Sequence, residues 1–296
     1  MSAGVTRPAG LRESLAEGRL ISAPGVFDPY TARIMEKLGF RAVYLGGNAL
    51  GLHLGIGQPF VTLTDTTDAV QKIRRVVQVP IIVDAGAGFG DAAHAALAMR
   101  ALENSGAASV HIDDQIYPKR AHYHRGEGHL TETEIVCGKL HAMVSARSRE
   151  GPLLIARTDA LRVTKSMGET ITRCRHYLAA GADALMVLDL GPDGAAPFRQ
   201  AFPRIPLVWI GGIAAPVPTE AEIMKSGIAI AVYPFNTIGA VTEAALATWK
   251  DFAETGRPAS SQRSAAKLVV EALDIIGLER SLEIERNTTE AGFGRA

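Results

Sequence analysis

A (β/α)8 barrel is the fold class this sequence predicts, and three observations predict it. Short apolar runs alternate with amphipathic segments eight times between about residues 20 and 255. Four segments, KLGFRAVYL, NSGAASVHI, AAGADALMV and KSGIAIAVY, close a helix on Gly and pass straight into an apolar run. Gly accepts the left-handed backbone that stops a helix, and a run apolar on both faces is what a parallel sheet buries. Finally, the unusual polar residues fall at the ends of those runs, where this fold carries its chemistry.

Element by element, strands are expected at 20–24, 41–45, 80–84, 108–112, 152–157, 183–188, 206–210 and 228–232. Helices fill the intervals at 29–38, 65–77, 91–105, 131–149, 167–180, 194–202, 218–226 and 237–255. Strict alternation implies a parallel sheet with right-handed crossovers, closed into a barrel rather than left open. Residues 1–256 are assigned to the barrel. Residues 257–296 open on a Pro/Ser linker and carry an additional helix near 262–277. Its apolar stripe has to be covered, either by its own barrel or by a neighbouring subunit.

Composition narrows the function classes. The 296 residues are 47% hydrophobic, ample for a large core. Lys plus Arg equals Asp plus Glu at 31 each, so no net field favours nucleic acid or an anionic membrane. No stretch approaches the roughly 18–20 apolar residues of a membrane span, and MSAGVTRPAGLRESLAEG lacks a signal-peptide apolar core. Cys137 and Cys174 sit in helix-like segments and form no CxxC pair, which fits a reduced, cytoplasmic setting.

The second strand runs into Tyr44 and LGGN (45–48), and the third into Asp84 and AGAGFGD (85–91). The fourth ends in His111, Asp113, Asp114 and Gln115, and the fifth in Arg157, Thr158 and Asp159. A charge at the end of an apolar strand is costly to desolvate unless it is paired or metal-bound. Gly46, Gly47 and Asn48 form either a plain turn or an amide cradle for a carboxylate or phosphate. Asp84 with Asp113, and with Asp114 as a further candidate, makes a hard-oxygen set suited to Mg²⁺, or to Mn²⁺ in its place. The competing arrangement pairs Asp113 or Asp114 with Arg157 or Lys119. Arg157 is the natural electrophile, a fixed fork able to stabilise an enolate or carboxylate oxygen.

The loop PKRAHYHRGEGHL (118–130) is long, polar and glycine-containing, as a mobile lid would be. It offers Lys119, Arg120 and Arg125 as anion-binding groups and His122, Tyr123 and His124 as proton carriers. His111, His122 and His124 also permit a zinc triad, on an unspecific spacing. His94, His141 and His176 read as surface or packing residues, Cys137 as a packed helix residue, and Trp209 and Trp249 as core or interface.

The segments SAPGVFDPYTARIMEKLGFRAVYLGG, VPIIVDAGAGFGD, GAASVHIDDQIYPKR and LLIARTDA resemble the isocitrate lyase/phosphoenolpyruvate mutase superfamily. The likeness runs in order through most of residues 20–255. It implies a (β/α)8 barrel whose last helix is swapped within a homotetramer, a dimer of dimers. It also implies bound Mg²⁺, an α-oxo or α-hydroxy carboxylate as substrate, and chemistry through an enolate of pyruvate. Carried over by position, Tyr44, Gly46, Gly47 and Asn48 match the substrate-carboxylate loop. Asp84 matches the directly coordinating aspartate, Asp113 a metal-shell glutamate, and Arg157 the enolate-stabilising arginine.

The departures direct the reaction. The Asp-Ala-Asp metal motif has Gly86 in its third place, and the lyases' glutamate and asparagine on strands six and seven fall near Leu188 and Ile210. The lid cysteine is replaced by Ala121. Retro-aldol cleavage needs a proton from that cysteine, and losing a positioned acid costs about 10²–10⁴-fold, whereas release of CO₂ needs none. The leading expectation is therefore a Mg²⁺-dependent lyase or decarboxylase acting on an oxaloacetate-like diacid. The alternatives are a phosphoenolpyruvate or carboxyphosphonoenolpyruvate mutase, a phosphonopyruvate hydrolase, and a catalytically degenerate scaffold.

Overall fold

The computed structural model describes residues 10–121, 125, 128–257 and 265–288. Two compact units divide the chain, Met1–Ile238 and Gly239–Ala296. The first is the expected barrel. Its strands are β1 (Ile21–Val26), β2 (Val43–Leu45), β3 (Ile81–Asp84), β4 (Ser109–Asp113), β5 (Leu153–Thr158), β6 (Ala184–Val187), β7 (Leu207–Ile210) and β8 (Ile230–Tyr233). Each pairs in parallel with the next, and β8 returns to β1 to close the sheet.

Six strands begin one residue inside their expected starts, three of them behind a proline. Pro80, Pro152 and Pro206 precede β3, β5 and β7, and proline has no N–H to give to a ladder. The connecting helices are α2 (Pro29–Lys37), α4 (Leu63–Arg74), α5 (Ala92–Ser105), α6 (Thr133–Ala146), α8 (Met167–Ala179), α9 (Ala195–Ala201), α10 (Glu220–Lys225) and α11 (Asn236–Thr255). The four glycine joints behave as the sequence predicts, with φ of 88° at Gly39, 97° at Gly106, 100° at Gly181 and 80° at Gly227. Short helices α1 (Leu11–Ala16), α3 (Gly47–His53) and α7 (Ala160–Thr164) lie outside the expected elements.

Strand residues alternate between two apolar layers. Ile82, Ile155, Met186 and Val208 fill the barrel interior, while Val83, Val110, Leu154 and Leu185 pack outward against Ile73, Met99, Leu140 and Tyr177 of the helices. Continuing the inward alternation upward brings Asp84, His111, Asp113 and Arg157 to the mouth. Register agrees: Asp84 lies opposite His111, and Asp113 opposite Arg157.

The second unit holds most of α11 and two further helices, α12 (Ala265–Ile275) and α13 (Leu278–Arg286). One helix was expected there, but Gly277, at φ 80°, divides the segment. Trp249 is exposed and meets Phe252 edge-on at 5.7 Å. Among the described residues no helix is long and apolar enough to cross a membrane.

Candidate active site

Asp84 is the hub. Its Oδ1 accepts the Gly86 amide at 2.8 Å, and its Oδ2 accepts the Gly47 amide and Gln58 Nε2, both at 3.1 Å. These contacts tie the first turn of α3 and the Gln58–Phe60 turn to the end of β3. Glycine at position 47 is a packing requirement, because a Cβ there would lie 2.8 Å from Gln58 Nε2 and 3.2 Å from Asp84 Oδ2. At position 46 a Cβ would meet the Tyr44 ring at 2.8 Å. Burial pushes the Asp84 carboxyl up. The neighbouring His111, Lys119 and Arg157 side chains, with the Gly86 amide, outweigh it and hold the group down at about 2. Asp84 is therefore an anion at every working pH.

Beside it, Tyr44 OH is 3.0 Å from His111 Nε2, with the rings stacked 5.8 Å apart. Burial is the main cause that pushes His111 below its usual value, which keeps the imidazole neutral. His111 Nδ1 lies 3.8 Å from Asp84 Oδ1.

Asp113 and Lys119 form a buried ion pair, so of the two arrangements left open by the sequence, Asp113 adopts the pairing one. The Lys119 chain also fills the space over Gly86, where a Cβ would lie 3.7 Å from its Cε and 3.9 Å from its Nζ. Arg157 is gripped by Asp159 through Nε at 2.9 Å and Nη2 at 3.2 Å, and Gln115 Nε2 donates to the same carboxylate. Asp114 departs from expectation. It faces away from the barrel axis, bonded to Thr158, Tyr177 and the Asp159 amide, and takes no part in the oxygen set around Asp84. The reason is strand alternation: with Asp113 turned inward, its neighbour turns out.

The expected amide cradle is altered as well. Gly47–His53 is helical and the Gly47 amide is committed to Asp84. Arg120 is exposed, while His122, Tyr123 and His124 lie outside the described residues. Among the described residues, no three His, Cys, Asp or Glu side chains converge as a metal-binding group. Leu188 and Ile210 line a cleft of about 1290 Å³, together with Asp189, Trp209 and Gly212. A cavity of about 30 Å³ adjoins Gly47, Gln58, Asp84, Gly86 and Lys119.

Sequence reasoning missed Gln58 and Tyr177, since neither spacing nor periodicity marks them. Gln58 is the more consequential. Among the described residues its buried Oε1 has no hydrogen-bond partner, and it lies beside the Asp84 carboxylate that its own Nε2 holds. Among these described inner residues, the three carboxylates of Asp84, Asp113 and Asp159 outnumber the two cations of Lys119 and Arg157 by one.

The family model described as phosphoenolpyruvate phosphomutase matches residues 11–253. The chain belongs to the phosphoenolpyruvate mutase/isocitrate lyase superfamily. It is similar to a 2,3-dimethylmalate lyase of Eubacterium barkeri, 32% identical over 94% of this chain and 97% of the relative. It is also similar to an oxaloacetate decarboxylase of Rhodopseudomonas palustris, 31% identical over 88% and 90%. A solved phosphonopyruvate hydrolase in complex with oxalate and Mg²⁺ superposes with a TM-score of 0.81, at 26% identity over 94% of this chain and 97% of that one. The expectations of a superfamily barrel and of an enzyme of the carbon–carbon lyase kind are thus borne out at the level of the family.

Proposed function

We propose that this superfamily member is a Mg²⁺-dependent carbon–carbon lyase acting on a small 2-oxo or 2-hydroxy diacid, with oxaloacetate decarboxylation as the leading case. One observation carries the reading: among the described residues, an ionised Asp84 lies beside a buried, unpartnered Gln58 oxygen, in a mouth with one excess negative charge. An anionic substrate is repelled by that charge unless a cation accompanies it. The donor set suits Mg²⁺, which takes one or two carboxylates, keeps several waters and completes its shell with substrate oxygens. Asp84 has about four acceptor positions, of which three are used. Asp84 and Gln58 Oε1 would hold the ion, while Asp113 holds Lys119 instead. When bound, the ion supplies positive charge toward the oxo-carboxylate of the substrate.

The chain's own groups do the rest. Arg157, its fork fixed by Asp159, faces the oxygen on which enolate charge develops as the carboxylate leaves as CO₂. The electrons of the broken bond enter the C2–C3 enolate, which takes a proton at C3 from water to give pyruvate. Lys119 adds a second positive charge over the same cavity. His111, neutral, and Tyr44 fix the floor by hydrogen bonding. Ala121 brings no thiol to protonate a departing carbanion, which favours loss of CO₂ over retro-aldol cleavage.

Phosphorus chemistry is the second reading, favoured by the matching family description and by Lys119 at the cavity, a cation suited to a phosphonate. Pyruvate release from oxaloacetate and the ³¹P spectrum with phosphonopyruvate, measured side by side with Mg²⁺, separate the two. Enzyme-dependent pyruvate with an unchanged phosphonate signal supports the first reading, and the reverse overturns it. We extend the reading to a homotetramer, motivated by the exposed Leu246, Trp249, Val269 and Val270 of the second unit, and to a cytoplasmic setting, motivated by the free thiols of Cys137 and Cys174. Light scattering on the purified chain measures the mass.

A further inference from the structure

The end of β4 divides three neighbouring polar residues among three tasks. Asp113 turns inward to Lys119, Gln115 sends its side-chain amide to Asp159, and Asp114 turns outward toward α8. The Asp114 carboxylate is fully buried and heavily bonded. Its Oδ1 accepts the Asp159 amide at 2.9 Å, and its Oδ2 accepts Thr158 Oγ1 at 2.6 Å and the Tyr177 hydroxyl at 2.9 Å. Arg173 Nη1 stands 3.6 Å away and also donates to the Thr131 carbonyl at 3.0 Å. The Thr131 amide in turn donates to the Asp114 carbonyl at 2.9 Å. One residue outside the barrel therefore ties together β5, α8 and the far anchor of the 118–130 loop.

We infer that Asp114 is a positioning residue for Arg157, acting through Asp159. The contacts are continuous: Asp114 fixes the Asp159 backbone, and the Asp159 carboxylate grips Arg157 at both Nε and Nη2. A guanidinium on a long side chain serves as an electrophile only when its fork is held, and displacement by about 1 Å costs on the order of 10²-fold in rate. The arrangement opposes stability. Burial is the largest cause pushing the Asp114 carboxyl up, to about 6, so at neutral pH the ion is retained against its surroundings. A buried charge held on those terms is better accounted for by what it positions than by the folding energy it contributes. The inference extends the reading above, because it takes Arg157 as the group that meets the substrate oxygen.

The test uses the full chain as wild type, Asp114→Ala, Asp114→Asn and, as a packing control, Met143→Ala in α6. Three quantities are followed: kcat and KM on oxaloacetate with Mg²⁺, the melting temperature, and the ¹⁵N-arginine side-chain spectrum. In that spectrum the Arg157 Nε–H signal is assigned by its loss in Arg157→Lys. Asp114→Ala is expected to lower kcat about 10- to 100-fold and to speed exchange of the Arg157 Nε–H. Asp114→Asn, which still accepts from the Asp159 amide, restores most of the rate, and Met143→Ala loses stability but keeps kcat. An unchanged Arg157 signal and kcat in Asp114→Ala overturn the inference, as does an equal kcat loss in Met143→Ala. If wild type releases no pyruvate, the lyase reading fails while the arginine spectrum still decides the positioning. Should Asp114→Ala not fold, Tyr177→Phe and Thr158→Val each remove one donor to Asp114 and are judged by the same spectrum.

Discussion

The Lys119 ammonium lies 3.9 Å from the point where a Cβ on Gly86 would stand, so this cation borders the space that a longer side chain at position 86 would enter. The substitution Gly86→Asp would place a carboxylate against that ammonium and add a second excess negative charge to the mouth. At φ 54°, position 86 suits Asp better than most residues. Calorimetric titration with Mn²⁺ should show affinity tightened at least about tenfold, since one more unit charge a few ångströms away is worth more than ~1 kcal/mol. Unchanged affinity would place the cation elsewhere.

Gly47 is packed against the two residues proposed to hold the ion. In Gly47→Ala the new Cβ would stand 2.8 Å from Gln58 Nε2, so Gln58 or the first turn of α3 has to move. We expect a stability loss of ~1–3 kcal/mol, as for overpacking generally, and Mn²⁺ affinity weakened about tenfold. Chemical denaturation and the same titration read the two effects separately.

Asp114 gives a pH signature of defined sign. Its carboxyl has a usual value of 3.8 and is pushed up to about 6 in the fold, with burial the largest cause and the bonds of Thr158 and Asp159 opposing it. A carboxyl raised by folding stabilises the fold when protonated. That contribution is complete below about pH 4 and is lost as pH rises through 6. Between pH 4 and 7.5 the wild type should therefore lose up to ~3 kcal/mol relative to Asp114→Asn. Parallel denaturation curves at both pH values measure this difference, and the opposite sign would contradict the assignment.

The architecture was legible because it is written in periodicity. The alternation of runs and the four Gly-terminated helices survive even where Pro80, Pro152 and Pro206 move a strand start by a residue. Asp84 and Arg157 stood out as charges at the ends of apolar strands, and the structure places them at the mouth. What was not legible depends on distance rather than pattern. Nothing local says that Gln58 folds back onto Asp84, 26 residues away, or that Tyr177 reaches Asp114 across 63. The facing of Asp113 and Asp114 follows from alternation once the end of β4 is known to one residue. The strand boundary expected at 112, one short of the observed 113, leaves that choice open.

Whether an ionised Asp84 and a fixed Arg157 together support enolate chemistry is decided by the rate of pyruvate formation from oxaloacetate with Mg²⁺. Wild type is compared with Asp84→Ala and with the metal-only rate. Wild type should run at least about 100-fold above Asp84→Ala, the scale of losing one electrostatic element of an active site. Equal rates in the two proteins, or a wild-type rate no higher than that of free metal, would contradict it.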